Sequence, residues 1–171
     1  MSGGFEIRMM GAADLAAYKA LRDLILAAHP EAFSSDAGVE SRKPPETYLS
    51  RIESADGDGP FTLLAWQQGQ LVGALTCERE PRVKVAHIGK VVGMMVHPSA
   101  RAQGIGRALL DAGCERARQR GIERLTLQVT SGNQTAVRLY EGAGFVRYGR
   151  LLRALKLAGR YHDKDFMVLE L

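Results

Sequence analysis

Apolar and polar residues change period several times along the chain, and each change marks an element. Phe5 to Met9, FEIRM, alternates and predicts a short strand. From Ala13 to Ala28 the apolar positions Leu15, Tyr18, Leu21, Ile25 and Ala28 recur at spacings of three and four, the period of an amphipathic helix, and His29-Pro30 ends it. EAFSSDAGVESRKPPE is polar, carries Pro44-Pro45 and reads as a loop, followed by a short helix over ETYLSRIE. After the turn cluster SADGDGP, FTLLAWQQ and QLVGALTCERE join around Gly69 as an antiparallel hairpin. VAHIGKVVGMMV follows as a longer strand, residues 104–120 as a helix, RLTLQVT as a strand and Gln134 to Glu141 as a helix. The last stretch reads as two strands around a turn at Gly159 to Asp163. The order β-α-α-β-β-β-α-β-α-β-β, with no repeat, linker or low-complexity segment, predicts one α/β domain over residues 1–171.

Composition narrows the class without naming a function. The chain is 46% hydrophobic and 25% charged, which is globular, and no stretch approaches the roughly 18 consecutive apolar residues of a membrane span. The N-terminus lacks the apolar core and cleavage site of a signal peptide, so the expected compartment is the cytoplasm. Cys77 and Cys114 stand far apart without a CxxC or paired histidines; they read as reduced thiols, and no metal is expected. The net charge of +4 favours anions in general, but the cations are scattered among 19 acids, which argues against nucleic acid as a partner.

The chemistry concentrates in RAQGIG, Arg101 to Gly106, between an apolar strand and a helix. A P-loop would need GxxxxGK[ST], which is absent, and the third glycine of a dinucleotide fingerprint falls on Leu109. What remains is an anion site by physics: glycines permit close approach, a helix N-terminus presents free N–H groups, and Arg101 and Arg107 flank it. A tight turn with no ligand is the alternative on spacing alone.

VVGMMVHPSARAQGIGRALLDA resembles the acetyl-CoA-binding motif of the GNAT acetyltransferase superfamily, [QR]-x-x-G-x-[GA], met here by Arg101, Gly104 and Gly106. A second family element, Asn-x-x-Ala-x-x-[FL]-Tyr-x-x-x-Gly-Phe, is filled by Asn133, Ala136, Leu139, Tyr140, Gly144 and Phe145. The resemblance is best over residues 86–146. It implies a mixed central sheet of six to seven strands with about four helices, splayed between the fourth and fifth strands. It also implies acetyl-CoA as co-substrate, with the backbone of Gln103, Gly104, Ile105, Gly106 and Arg107 on the pyrophosphate. The backbone of Met95 and Val96 would lie along the pantetheine arm, and Asn133 near the cofactor.

The implied reaction is direct acetyl transfer to an amine acceptor: a small amine, an amino acid or analogue, or a protein amino group. It needs an oxyanion donor, a proton for the leaving thiolate and a base. The resemblance places the first at Gly93 to Val96. Tyr140, two helical turns after Asn133, is the expected general acid. Many relatives carry a strand glutamate as base; here Lys90 and valines occupy that stretch, leaving Glu78, His87, His162 or a water chain. The missing carboxylate keeps a second reading open, a non-catalytic acyl-CoA-binding or sensing module. Glu31, Asp36 and Glu40 offset Arg42 and Lys43 in the polar loop, so the acceptor's charge is not legible. Phe33, Tyr48, Trp66 and Tyr161 are candidates to line an acceptor pocket. Homodimers are frequent in the family, and the sequence neither requires nor forbids one.

Overall fold

The computed structural model of the chain describes residues 4–171. Seven strands form one sheet: β1 (Phe5–Met9), β2 (Phe61–Gln67), β3 (Gln70–Arg79), β4 (Ile88–Val96), β5 (Arg124–Thr130), β6 (Val146–Leu157) and β7 (Arg160–Glu170), in spatial order β1-β2-β3-β4-β5-β7-β6. All neighbours are antiparallel except β4 and β5. Helices α1 (Leu15–Ala28) and α2 (Ala37–Ser41) cover one face; α3 (Ile105–Gln119) and α4 (Gln134–Gly142) belong to the other. The α3 links two parallel strands, as a crossover must.

Two apolar clusters hold the layers together. Leu75, Leu109, Leu110, Leu125 and Leu127 are buried between the sheet and α3, while Tyr18, Leu21, Ile25, Leu64 and Met95 pack under α1. Each fully buried leucine contributes about 2 kcal/mol before entropy is set against it. Among the described residues no helix is long and apolar enough to cross a membrane.

The structure departs from the sequence pattern at element edges. The strand expected from Val85 begins only at Ile88, because Val83–Val85 form a 3-10 turn whose chain reversal is held by Arg79 Nε on the Ala86 carbonyl (2.8 Å). ETYLSRIE is a 3-10 segment, Pro45–Arg51, not an α-helix. Its bonds close three residues back, Thr47 N–H to the Pro44 carbonyl and Ile52 N–H to that of Leu49, after two prolines that bring no donor of their own. Conversely, the polar loop contains α2, capped by the Asp36 carboxylate on the Val39 N–H (2.8 Å). The final turn is tighter than expected, with β7 starting directly after Gly159.

Glu40 fastens this region. Its carboxylate accepts from Lys43 Nζ (2.6 Å) and from the Tyr48 hydroxyl (2.8 Å), with Arg22 at 3.5 Å. Burial alone would push the carboxyl pKa up; the two hydrogen bonds and the Arg22 charge outweigh it and bring it down to about 2. A folded value below the unfolded one stabilises the fold above the unfolded pKa, and the gain is lost as pH falls from about 4.5 through about 2. Glu40→Gln is expected to cost about 3 kcal/mol at pH 7, with the gap to wild type closing toward pH 2. Denaturant unfolding across that range checks it; a gap independent of pH would dismiss the ion-pair account.

Candidate functional site

β4 and β5 pair over only three positions, Ile88 with Arg124, Gly89 with Leu125 and Lys90 with Thr126. Beyond Lys90, β5 keeps β7 and β4 keeps β3, so the two strands part and the β5-facing edge of β4 has no strand beside it. A bulge falls where they separate. Val92 pairs with Thr76 but Met95 with Ala74, giving β4 one extra residue, and Gly93 takes φ +59° there.

A cleft of about 870 Å3 fills the opening, bounded by Met94, Met95 and Val96 of β4, the start of α3, the start of α4 and residues of the segment after α1. The start of α3 is an unusual cap. Gly104 sits at φ +80°, no side chain caps the helix, and its first internal bond runs from the Ala108 N–H to the Gly104 carbonyl. From Ala102 to Arg107 no backbone N–H has an acceptor among the described residues. Six consecutive donors are therefore left without partners at the positive end of the helix dipole, and all of these residues but Gln103 line the cleft. Gly106 serves a different need: a Cβ there would press to 3.2 Å from Leu139, so its absence lets α3 close against α4.

The flanking cations are less free than the sequence implies. Arg107 is held by Asp111 (2.9 Å) and the Gly142 carbonyl (2.8 Å), which joins α3 to the end of α4. Arg101 reaches across to His29 Nε2 (2.8 Å), so that nitrogen accepts. Gln103 turns its side chain to Gln67 and the Ser99 carbonyl and is absent from the cleft lining. The backbone is the free positive pole.

Opposite, Asn133 caps α4 through its side-chain oxygen on the Ala136 N–H (3.2 Å). Tyr140 lies on the same helix, 7% exposed, edge-on to Phe145 at 5.8 Å, and lines the cleft. Its hydroxyl has no hydrogen-bond partner among the described residues, and burial pushes its pKa up to about 12, so it is a protonated donor at neutral pH. Met95, Val96, Arg101, Gly104, Ile105, Gly106, Arg107, Asn133 and Tyr140 thus all line one cleft.

On the α1 side of the bulge lies a second cleft of about 490 Å3, walled by Arg22, Glu40, Tyr48, Arg51 and Glu78. The three candidate bases separate: Glu78 lines this cleft, His162 the first, and His87 the closed end of the strand pair, where its carbonyl takes the N–H groups of Glu123 and Arg124. Of the aromatics, Phe33 lines the first cleft and Tyr48 the second. Trp66 instead packs beneath Arg8 (5.0 Å), and Tyr161 is exposed below Arg153. Sequence reasoning missed His29 and Arg51; His29 ends a helix and Arg51 sits in a short turn segment, and neither belongs to a motif.

Comparison with known proteins agrees with this geometry. The profile described as the acetyltransferase (GNAT) family matches residues 18–145. Mycothiol acetyltransferase of Thermobispora bispora is 36% identical over 137 residues, covering 79% of this chain and 44% of that protein. The chain spans less than half the length of the curated relatives it matches. A GNAT-family acetyltransferase of Streptococcus pneumoniae superposes with a TM-score of 0.84 at 28% identity, covering 98% of this chain and 100% of that one. The yncA protein of Salmonella typhimurium, solved with its cofactor acetyl-CoA, shares the fold with a TM-score of 0.85 at 22% identity, covering 98% of this chain and 94% of that one.

The Gly104 conformation is expected to matter for stability in its own right. Gly104→Ala should cost about 1–2 kcal/mol and lower the melting temperature by about 2–8 °C, because a Cβ disfavours the left-handed region. Gly142→Ala, with open space and no positive φ, should not destabilise. Equal losses in thermal unfolding of the two variants would sink the backbone explanation.

Proposed function

The chain belongs to the GNAT acetyltransferase family, and from that premise we propose that it transfers the acetyl group of acetyl-CoA directly to a primary amine. The observation that carries the reading is the run of six partnerless N–H groups from Ala102 to Arg107, opening onto the unpaired edge of β4. Backbone donors at a helix N-terminus suit a pyrophosphate, and a free strand edge suits an amide-bearing arm laid beside it. The family match and the acetyl-CoA bound to the yncA protein support the same choice.

When bound, acetyl-CoA supplies an acetyl group activated as a thioester. The Gln103 to Arg107 backbone holds the diphosphate, and Met95 and Val96 guide the arm toward the bulge. N–H groups freed around Gly93 and Met94 receive the oxygen that gains charge. The amine nitrogen bonds to the acetyl carbon as the carbon–sulfur bond breaks; the nitrogen's proton leaves through Glu78, directly or by a water, and the sulfur gains the Tyr140 proton. Solvent then restores the phenol. A pKa near 12 ensures that Tyr140 arrives protonated, and the same apolar surroundings raise the basicity of a thiolate beside it. Glu78 suits the base because it faces the second cleft without an ion pair among the described residues.

The second reading, an acyl-CoA-binding module without turnover, has no use for a buried, partnerless phenol in the cleft. Purified protein should release coenzyme A thiol from acetyl-CoA only when an amine is present; tight binding with no release from any amine would favour the binding module. Tyr140→Phe should lower kcat by about a hundredfold or more while nearly preserving KM for acetyl-CoA. Glu78→Gln should lower kcat by about a hundredfold with KM for acetyl-CoA nearly kept, since the proton of the amine loses its acceptor. An unchanged kcat in either variant would strip that residue of its role.

A further inference from the structure

The charges around the second cleft are not equivalent. Glu40 is closed off by Lys43, Tyr48 and Arg22, while Asp36 is used as the cap of α2. Two charged side chains lining the cleft, Arg51 and Glu78, are left without an ion pair among the described residues.

Arg51 is fixed in place. Its Nη1 donates to the Tyr18 hydroxyl (2.6 Å), and its guanidinium lies 6.0 Å from the Tyr18 ring centre and 5.6 Å from that of Tyr48. Its main-chain oxygen accepts from Thr62, which is fully buried, as is Tyr18. An arginine has five N–H donors, and the one bond to the Tyr18 hydroxyl leaves the rest of the fork for another acceptor. None of its nitrogens is both buried and partnerless, so the fork opens to the cleft. A rigid guanidinium resting on aromatic rings with no counter-ion is organised to take a planar oxyanion.

Its location ties it to the reaction. Nη1 lies 3.0 Å from the point a Cβ on Gly93 would occupy, at the bulge itself, and Thr76 Oγ1 lies 3.9 Å from the same point. Glu78 is two residues further along β3 on the face of Thr76, a separation of about 7 Å. Lys90, opposite Glu78 in the strand register, and Lys164, whose ammonium pKa is lowered by burial and by Lys90, add to the positive field on this face.

We propose that Arg51 is the anion-recognition residue of the acceptor site, and that the acceptor is a small amine bearing a carboxylate a few atoms from its nitrogen, as an amino acid does. Among the residues lining the cleft, one unpaired cation and one unpaired carboxylate match the two poles of such a zwitterion: Arg51 takes the carboxylate, and Glu78 faces the amine. This assignment rests on the acetyl-transfer reading.

The test compares matched acceptors by thiol release at saturating acetyl-CoA. The acceptors are the protein amino acids with β-alanine and γ-aminobutyrate, their primary amides, and the amines that lack the carboxyl group. Wild type should favour the best carboxylate-bearing acceptor over its amide by about 30- to 100-fold in kcat/KM. Arg51→Gln should erase most of that preference through KM for the acceptor, with Arg51→Lys intermediate and KM for acetyl-CoA retained in both. A wild-type enzyme indifferent to the carboxylate overturns the assignment without needing any variant. A preference that survives in folded Arg51→Gln, judged by its retained acetyl-CoA affinity, overturns the role of Arg51. Release from none of the three sets overturns the transfer reading and this assignment with it.

Discussion

The parting of β4 from β5 is the constraint on which the rest of the molecule depends. Parallel strands joined through α3 begin in register because the closed end is tightly fastened. The His87 carbonyl receives the N–H groups of Glu123 and Arg124, and a Cβ on Gly89 would lie 2.9 Å from Leu125. Three residues later each strand is committed elsewhere, β4 to β3 and β5, along its whole length, to β7. Neither can follow the other without giving up an antiparallel ladder. The sheet therefore opens in its middle, and unpaired backbone is exposed at the centre of the protein, where it is normally hidden.

The opening organises two environments on opposite sides of β4. On the α3 side the positive pole is main chain, six N–H groups held in place by a left-handed glycine, with Arg107 turned to fastening α3 onto α4. Backbone donors are fixed by the fold and lose little entropy on taking a ligand, so an anion there would meet preorganised dipoles rather than long mobile side chains. On the α1 side the charges are side chains, with Arg51 held against tyrosine rings. The bulge at Gly93 and Met94 borders both clefts.

Much of this order is readable in the sequence because it is local. Gly104 and Gly106 stand at the head of the helix that follows β4, and Asn133 to Tyr140 run from the cap of one helix into its body, so spacing alone joins residues that meet in space. The pattern was legible where it is simple: β1 alternates, and β2 and β3 are two apolar runs that meet at Gly69 as a hairpin. It failed at short elements. The polar stretch with Pro44-Pro45 reads as loop, yet it holds the five residues of α2, too short to show a helical period and fixed by the Asp36 cap. The segment over ETYLSRIE reads as a short helix, whereas its hydrogen bonds close three residues back into a 3-10 segment.

The second cleft was illegible for a physical reason rather than for want of motifs. Its walls come from α1, α2, the 3-10 segment and β3, so charges that look alike along the chain acquire different meanings only after folding. Glu40, Arg42 and Lys43 cancel in a sum over sequence. In space, Glu40 is consumed by Lys43, Tyr48 and the distant Arg22, and half-buried Arg51 is left without a carboxylate partner among the described residues. Pairing, not composition, decides which charge a ligand can feel. A scaffold with one cleft lined by backbone donors and another by such residual charges can change what the second attracts by re-pairing a few side chains while the first stays as it is.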